Sequence, residues 1–189
     1  MTRASLAVLA LAVALPAAAV EETYAIDPVH SQPMFEVLHM GFSIQRGSFT
    51  KSSGRITLDR EKKQGTIEVV IDAASIRTID PRLDTHVKGE DFFNVAKYPT
   101  IVFRSTRLSF EGERVVGVDG ELTLLGVTKP VTLSVQSEHC GEHPFNKKPM
   151  CGAEAAATVK RSDWGMKYGL PKAVADDVRI VIPIEAYKG

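Results

Sequence analysis

The sequence has little that points to a charged partner or to a common cofactor. Its 23 Lys and Arg residues balance 23 Asp and Glu residues, so the formal net charge is zero. Nonspecific binding to nucleic acid depends on a cationic surface, and this balance therefore predicts no nucleic-acid partner. A phosphate-binding loop, a dinucleotide-binding fingerprint and a zinc-protease helix are also absent. These absences argue against the best-marked classes of nucleotide-dependent and zinc-dependent enzyme.

Long apolar runs are lacking beyond the N-terminus, which predicts no membrane anchor in the rest of the chain. The one apolar run covers residues 4–15, follows Arg3 and ends at Pro16. It is too short to cross a hydrocarbon core of about 30 Å as a helix. Small residues at 17–19 complete the pattern of a secretory signal. We expect a signal peptide over residues 1–19 and one exported domain over residues 20–189, located in the periplasm.

Cysteine is scarce, with Cys140 and Cys151 as the two copies in the chain. In an oxidising compartment such a local pair predicts a disulfide, which would pin a long hairpin loop. The alternative is a metal site that also uses His139 and His143. Because that spacing matches no compact zinc motif, we expect the disulfide and no metal.

Apolar and polar residues alternate with period two along most of the chain after the signal. The clearest segments are 67–72, 101–106, 118–124, 131–136 and 178–185. This alternation is typical of antiparallel strands with one buried face, and short turns at 61–65, 111–113 and 126–130 join them as hairpins. About eight such strands predict an all-β fold that closes into a barrel and so removes exposed edges. A two-sheet sandwich has the same periodicity and stays open as an alternative.

Two places interrupt the alternation. At about residues 80–95 the pattern predicts a short helix that begins at Pro81 with Asp80 as its N-cap. Phe92 and Phe93 follow it and suit a plug or a lid better than a strand. The single Trp164 lies before a glycine, which predicts a bulge or a bend where the sheet curves.

The segment 27–31 contains Asp27, His30 and Ser31, the residue types of a catalytic triad. Consecutive residues of an extended chain point to opposite faces, so His30 and Ser31 do not readily share a site. The simpler interpretation is a turn that enters a strand, and we predict no catalytic residue. Ligation of haem or a metal by His30 and His39 is a further alternative.

Eight short segments, taken in order, carry a family resemblance: 24–31, 39–41, 47–49, 75–78, 91–93, 98–103, 120–131 and 161–166. In this order the chain resembles the YceI-like family of periplasmic proteins with a lipocalin-like barrel. Two features depart from that pattern. Pro33 puts the regularity of the first strand in doubt, and many relatives lack the segment with the two cysteines.

The resemblance implies a non-catalytic carrier that holds a polyisoprenoid, of quinone or polyprenyl type, in an apolar channel and needs no cofactor. Large apolar residues near the matching segments are the predicted lining: Phe35, Phe49, Phe92, Phe93, Phe103, Leu122, Leu133 and Trp164. His30, His39 and Arg161 are predicted to meet a polar headgroup near the mouth. The isoprenoid lipid is the expected partner, and the sequence is compatible with a homodimer.

Two other functions stay open at this point. One is a redox-linked protein that uses quinone, haem or metal through His30, His39 or the region of Cys140. The other is a structural or stress-related interaction module whose side chains fill the barrel completely.

Overall fold

The computed structural model describes residues 21–189, so the predicted signal peptide lies outside the described residues. The strands are β1 Glu22–Ile26, β2 Met34–His39, β3 Ser43–Phe49, β4 Ser52–Asp59, β5 Gln64–Asp72, β6 Ile76–Arg77, β7 Thr100–Glu111, β8 Arg114–Leu124, β9 Val127–Glu142, β10 Pro149–Lys160 and β11 Val174–Lys188. One α-helix, α1 (Pro81–Lys88), and two short 3-10 helices, Ala73–Ser75 and Arg161–Trp164, complete the described elements.

The strands form a closed antiparallel barrel. Neighbours around it are β1, β4, β5, β7, β8, β9, β10 and β11, and β11 pairs back with β1. Three further strands extend positions already occupied: β2 extends that of β1, β3 that of β4, and β6 that of β5. This follows because the first half of β11 pairs with β2 and the last residues of β11 pair with β1. Eight positions therefore close the circle, which confirms the barrel and excludes the sandwich.

The barrel has two distinct ends. The upper end carries α1, the turn between β2 and β3, the turn between β8 and β9, and the segment 161–173. The lower end carries the turns between β4 and β5, between β7 and β8 and between β9 and β10, together with the start of β1 and the end of β11.

The first strand is interrupted between β1 and β2, as Pro33 suggested. In the gap, the Ser31 hydroxyl donates to the Glu185 carbonyl at 3.0 Å and accepts from the Glu185 amide at 2.9 Å. Ser31 is fully buried, and its own carbonyl accepts from the hydroxyl of Ser52. The serine of the triad-like segment thus replaces strand pairing at the break and has no free hydroxyl for nucleophilic attack.

The predicted helix is confirmed as α1. Asp80 caps it by accepting from the Arg82 amide at 2.8 Å, and Pro81 occupies the first turn, where no donor is needed. Asp84 reaches back to the amide and the hydroxyl of Thr78, and these hydrogen bonds lower the pKa of Asp84. The chain entering α1 is thereby fixed, and Val87 packs into the upper end of the barrel.

Two local predictions are wrong. The turn between β8 and β9 consists of residues 125–126, and the chain from Val127 onward is already a strand. The residues around Trp164 form a 3-10 helix that Gly165 ends at a φ of 85°, not a bulge within a strand. The physical reason is that Arg161, at the start of this helix, binds carbonyls of the following segment and turns the chain away from β10.

The disulfide between Cys140 and Cys151 is confirmed, but its setting differs from the prediction. The two residues are direct partners in β9 and β10, so the bond joins paired strands instead of pinning a loose loop. The turn itself is reduced to residues 143–148. Because both sulfurs are bonded to each other, the alternative metal site with His139 and His143 is wrong.

Candidate functional site

A cavity of about 510 Å³ runs through the interior of the barrel, from the upper end towards the lower. This volume lies within the range of about 300–1,000 Å³ that is usual for small-molecule sites. Alternate residues of the strands point into it, and inward-facing side chains such as Ile56, Leu124 and Ile182 are therefore only partly buried. The barrel is hollow, which overturns the alternative of a barrel filled by its own side chains.

The structure brings all eight predicted lining residues to this cavity. Five of them come from the strands and three from the upper end: Phe35 (β2), Phe49 (β3), Phe103 (β7), Leu122 (β8), Leu133 (β9), Phe92 and Phe93 (after α1) and Trp164 (3-10 helix). Trp164 is fixed by a hydrogen bond from its indole nitrogen to the Leu122 carbonyl at 3.0 Å. Contact of these residues with a ligand stays a prediction.

Three phenylalanines meet at the upper end of the cavity. The ring of Phe93 lies 5.4 Å from that of Phe49, edge to face, and 6.2 Å from that of Phe35. Phe92, the next residue along the chain, also lines the cavity and in addition contacts the rings of His86 and Tyr168. The two neighbouring phenylalanines thus tie the segment after α1 both to the cavity wall and to the segment 161–173.

Sequence reasoning missed two glycines that shape the wall. A Cβ atom at Gly47 would lie 2.4 Å from Cζ of Phe35, and one at Gly120 would lie 2.4 Å from Cζ of Phe103. Each aromatic ring therefore lies over a glycine of the neighbouring strand. A glycine inside an alternating strand is the signal that could have indicated this close approach.

The sequence analysis also did not identify the aliphatic residues that form much of the cavity wall. It consists of side chains from β4, β5, β10 and β11: Ile56, Leu58, Ile67, Val69, Ile71, Ala155, Val159, Val178, Ile180, Ile182 and Ile184. The period-two alternation in these strands was sufficient to identify most of them, because every second residue faces the interior.

Two of the three predicted headgroup residues line the cavity. His39 does so at the end of β2, and Gln45 (β3) and Thr78 (before α1) line the cavity as well, so the upper end has a polar edge. Arg161 is 3% exposed and donates to the carbonyls of residues 166, 168, 174 and 175. Four of its five N–H groups are thus committed to the chain, and burial lowers the pKa of Arg161. Its main role is to hold the segment 161–173 in place.

His30 does not lie with the other two. It is exposed at the break between β1 and β2, where its Nδ1 lies 2.6 Å from Oδ2 of Asp27 and 3.7 Å from Oε2 of Glu185. The hydrogen bond with Asp27 raises the pKa of His30. The geometry of these three residues would suit a cation, but His39 lies at the far end of β2. The structure therefore does not join the two histidines in one site.

The lower end is crossed by an ion-pair network that the sequence did not reveal. The Arg60 guanidinium donates to the Glu138 carboxylate at 2.7 Å and to the Glu113 carbonyl, and it lies 3.7 Å from the Glu22 carboxylate. These partners belong to different sides of the barrel, so the guanidinium spans its lower end. A hydrogen bond from Lys188 lowers the pKa of Glu22.

Tyr24 completes the lower end. Its hydroxyl donates to Oε2 of Glu22 at 2.9 Å, and burial, together with this hydrogen bond, raises the pKa of Tyr24. The ring lines the cavity. The cavity is therefore bounded below by a polar network and above by aromatic rings.

Among the described residues, no helix has the length and apolar character needed to cross a membrane.

Sequence comparison identifies one family. A match to the YceI-like domain covers residues 24–186. The chain is 34% identical to a UPF0312 protein of Pseudomonas savastanoi pv. phaseolicola, over 95% of this chain and 96% of that protein. It is also 34% identical to Protein YceI of Escherichia coli O157:H7, over 88% of this chain and 87% of that protein. The resemblance inferred from the ordered segments is confirmed.

Two solved structures share the fold. BcnA of Burkholderia cenocepacia has a TM-score of 0.72 at 25% identity, and the matched region covers 85% of this chain and 98% of BcnA. A polyisoprenoid binding domain from Saccharophagus degradans, implicated in plant cell wall breakdown, has a TM-score of 0.66. The matched region covers 88% of this chain and 98% of that domain. The latter is 17% identical, a level at which the likeness establishes the fold alone.

Proposed function

The chain belongs to the YceI-like family, and from this premise we propose that it is a non-catalytic carrier of a long isoprenoid lipid. The lipid, of quinone or polyprenyl type, would lie with its tail in the barrel interior. The observation that carries this proposal is the cavity of about 510 Å³, whose walls are almost wholly apolar along the length of the barrel. The description of the related Saccharophagus degradans structure as a polyisoprenoid binding domain supports the same class of ligand.

The energetics favour a tail over a compact polar ligand. Transfer of each methylene-sized group from water into an apolar wall stabilises the complex by about 0.8 kcal/mol. The ordering of a flexible tail offsets part of this gain. A long chain of branched C5 units therefore binds through its length, without any strong polar anchor.

The polar residues at the upper end suit the headgroup. His39, Gln45 and Thr78 line the cavity there, so the tail would enter from this end and the headgroup would stay beside them. Arg161 contributes chiefly by shaping this region, because its N–H groups are bonded to backbone carbonyls.

The proposed role involves no catalytic step. Ser31 is buried and hydrogen-bonded on both sides, and His30 pairs with Asp27 at the surface, away from the cavity. The residues of the triad-like segment thus have structural roles. We propose further that the protein works in the periplasm after removal of residues 1–19, which the disulfide supports because such bonds persist in oxidising compartments.

Analysis of copurified lipid tests the proposal. The full chain is expressed in a Gram-negative host, isolated from the periplasmic fraction, and extracted with organic solvent for mass spectrometry. We expect a prenyl lipid in about stoichiometric amount and a mature N-terminus at Val20. Repeated absence of prenyl lipid, together with no binding of added long-chain quinone, would overturn the carrier function. Visible absorbance and metal analysis of the same sample test the redox alternative.

A further inference from the structure

The hairpin formed by β2 and β3 exposes apolar side chains next to the cavity. Four residues form what we term the apolar tip: Leu38, Met40, Phe42 and Ile44, which are 40%, 54%, 90% and 45% exposed. Leu38 and Ile44 are direct partners across the two strands, and Met40 and Phe42 form the turn between them. The tip is therefore one continuous apolar surface and not a set of scattered residues.

The outward face of this hairpin is apolar near its turn. Val37, His39 and Gln45 face the cavity, whereas Leu38 and Ile44, their neighbours in sequence, face outward. A strand with one face towards water normally carries polar residues on that face. The outward face of this hairpin thus matches a partner that is itself apolar.

The position of the tip specifies the partner further. It lies beside His39 and Gln45, at the polar edge through which we propose that the lipid enters. The Met40 amide donates to the Ala173 carbonyl at 2.9 Å, so the tip is anchored to the segment 161–173 that bounds the same end. A surface that touched the tip would therefore also cover the mouth of the cavity.

The charge around the tip fits an anionic surface. Residues 37–50 contain no Asp or Glu, and the exposed Lys172 lies next to Ala173, whose carbonyl accepts from the Met40 amide of the turn. Arg46 is also exposed but is ion-paired with Glu36. Exposed apolar residues beside cationic ones are typical of proteins that bind the interface of an anionic bilayer. A protein partner would require a larger complementary surface, whereas a bilayer needs only a projecting apolar tip.

We propose that the apolar tip inserts into the interface of an anionic phospholipid bilayer and holds the cavity mouth against it. An isoprenoid could then pass between membrane and barrel without crossing water. The insertion itself is argued from the tip alone, and the transfer step rests on the proposed carrier function.

A matched pair of variants tests the insertion. Phe42→Asp removes the most exposed residue of the tip, and Phe145→Asp is the control, because Phe145 is 89% exposed in the turn between β9 and β10 at the opposite end. Neither residue lines the cavity. Both variants are floated with vesicles of phosphatidylglycerol and phosphatidylethanolamine. We expect Phe42→Asp to lower the vesicle-bound fraction about tenfold, and Phe145→Asp to leave it unchanged.

Three results would overturn this proposal. They are no flotation of the unaltered protein, equal loss in both variants, and a dimer in solution that Phe42→Asp dissociates, since the tip would then bind a second copy of the chain. Binding of long-chain ubiquinone added from ethanol separates the two proposals. If vesicles bind but ubiquinone does not, the carrier function fails while the insertion stands. If ubiquinone binds but vesicles do not, the insertion fails while the carrier function stands.

Discussion

The two ends of the barrel differ in the kind of interaction that each contains. At the lower end, charged groups and a disulfide link neighbouring and distant strands: Arg60 reaches Glu138, and Cys140 is bonded to Cys151. At the upper end, aromatic rings bound the cavity, and the hairpin of β2 and β3 exposes apolar side chains. Covalent and ionic links stabilise one end, whereas the other end is built from apolar surface that can meet a ligand. We infer that interactions at the lower end contribute most to the stability of the fold, and that the ligand reaches the cavity through the upper end.

The largest effect that tests this contrast is loss of the disulfide. Replacement of Cys140 and Cys151 by Ser should lower the free energy of unfolding by about 3 kcal/mol, because the unfolded chain loses a constraint. Urea unfolding followed by circular dichroism measures this change. Lipid binding should persist, since Cys151 is the one member of the pair that lines the cavity, at its lower end, and serine is no larger than cysteine. Loss of binding in a folded double variant would contradict the division between the ends.

Loss of the ion pair at the lower end should have the next largest effect. Arg60→Ala leaves the Glu138 carboxylate, whose side chain is 8% exposed, without its cationic partner. We expect a loss of about 2 kcal/mol in unfolding free energy, a value reduced from that of a fully buried pair because Arg60 is partly exposed.

The matched control for that variant lies at the upper end. Arg46 pairs with Glu36 at 2.8 Å, but the Arg46 side chain is 65% exposed. Arg46→Ala should change the unfolding free energy by no more than about 0.5 kcal/mol. Equal losses from the two variants would show that the lower end is not the more strongly stabilised one.

A smaller effect is expected from partly filling the cavity. Ala155 lines it from β10, so Ala155→Phe should weaken binding of long-chain ubiquinone about tenfold, or about 1.4 kcal/mol. Thr158→Phe adds the same ring to an exposed position of the same strand and is the control. Equal affinities for the two variants would mean that the ligand does not occupy this part of the barrel.

The smallest predicted effect is the dependence of the unfolding free energy on acidic pH. The pKa of Glu22 is lowered in the fold from its ordinary value of 4.5, first by the hydrogen bond from Lys188. Ionised Glu22 therefore stabilises the fold above about pH 4.5, and this contribution disappears as the pH falls through the lowered pKa. Glu22→Gln should reduce the acid-induced loss of unfolding free energy by less than about 1 kcal/mol, because the group is partly exposed. A variant with an unchanged pH profile would exclude this contribution.

The sequence predicted those parts of the molecule that depend on local pattern. Alternation indicated the strands, Asp80 and Pro81 marked the helix, and large apolar residues near family segments identified much of the cavity wall. The pairing of Arg60 with Glu138 was not predictable, because 78 residues separate them and each resembles an ordinary surface charge. Arg161 was assigned to the headgroup for a related reason, since a sequence does not show which carbonyls will surround a guanidinium.

The apolar tip shows a different limit of sequence analysis. Leu38 and Ile44 resemble core residues in the sequence, and alternation alone does not reveal that both are exposed on the outward face of the hairpin. The glycines were missed for a similar reason. Gly47 and Gly120 interrupt strands, but only the position of the neighbouring aromatic ring explains why no side chain fits there.

The central claim is that the hollow barrel binds an isoprenoid by its tail, and the fluorescence of Trp164 tests it most directly. Trp164 is the single tryptophan of the chain and lines the cavity, so a quinone bound inside should quench it. We predict saturable quenching by long-chain ubiquinone, displacement of that quinone by a polyprenyl alcohol, and no saturable quenching by a quinone that lacks the tail. Equal quenching by the tailed and tail-less quinones, or none by either, would contradict the account.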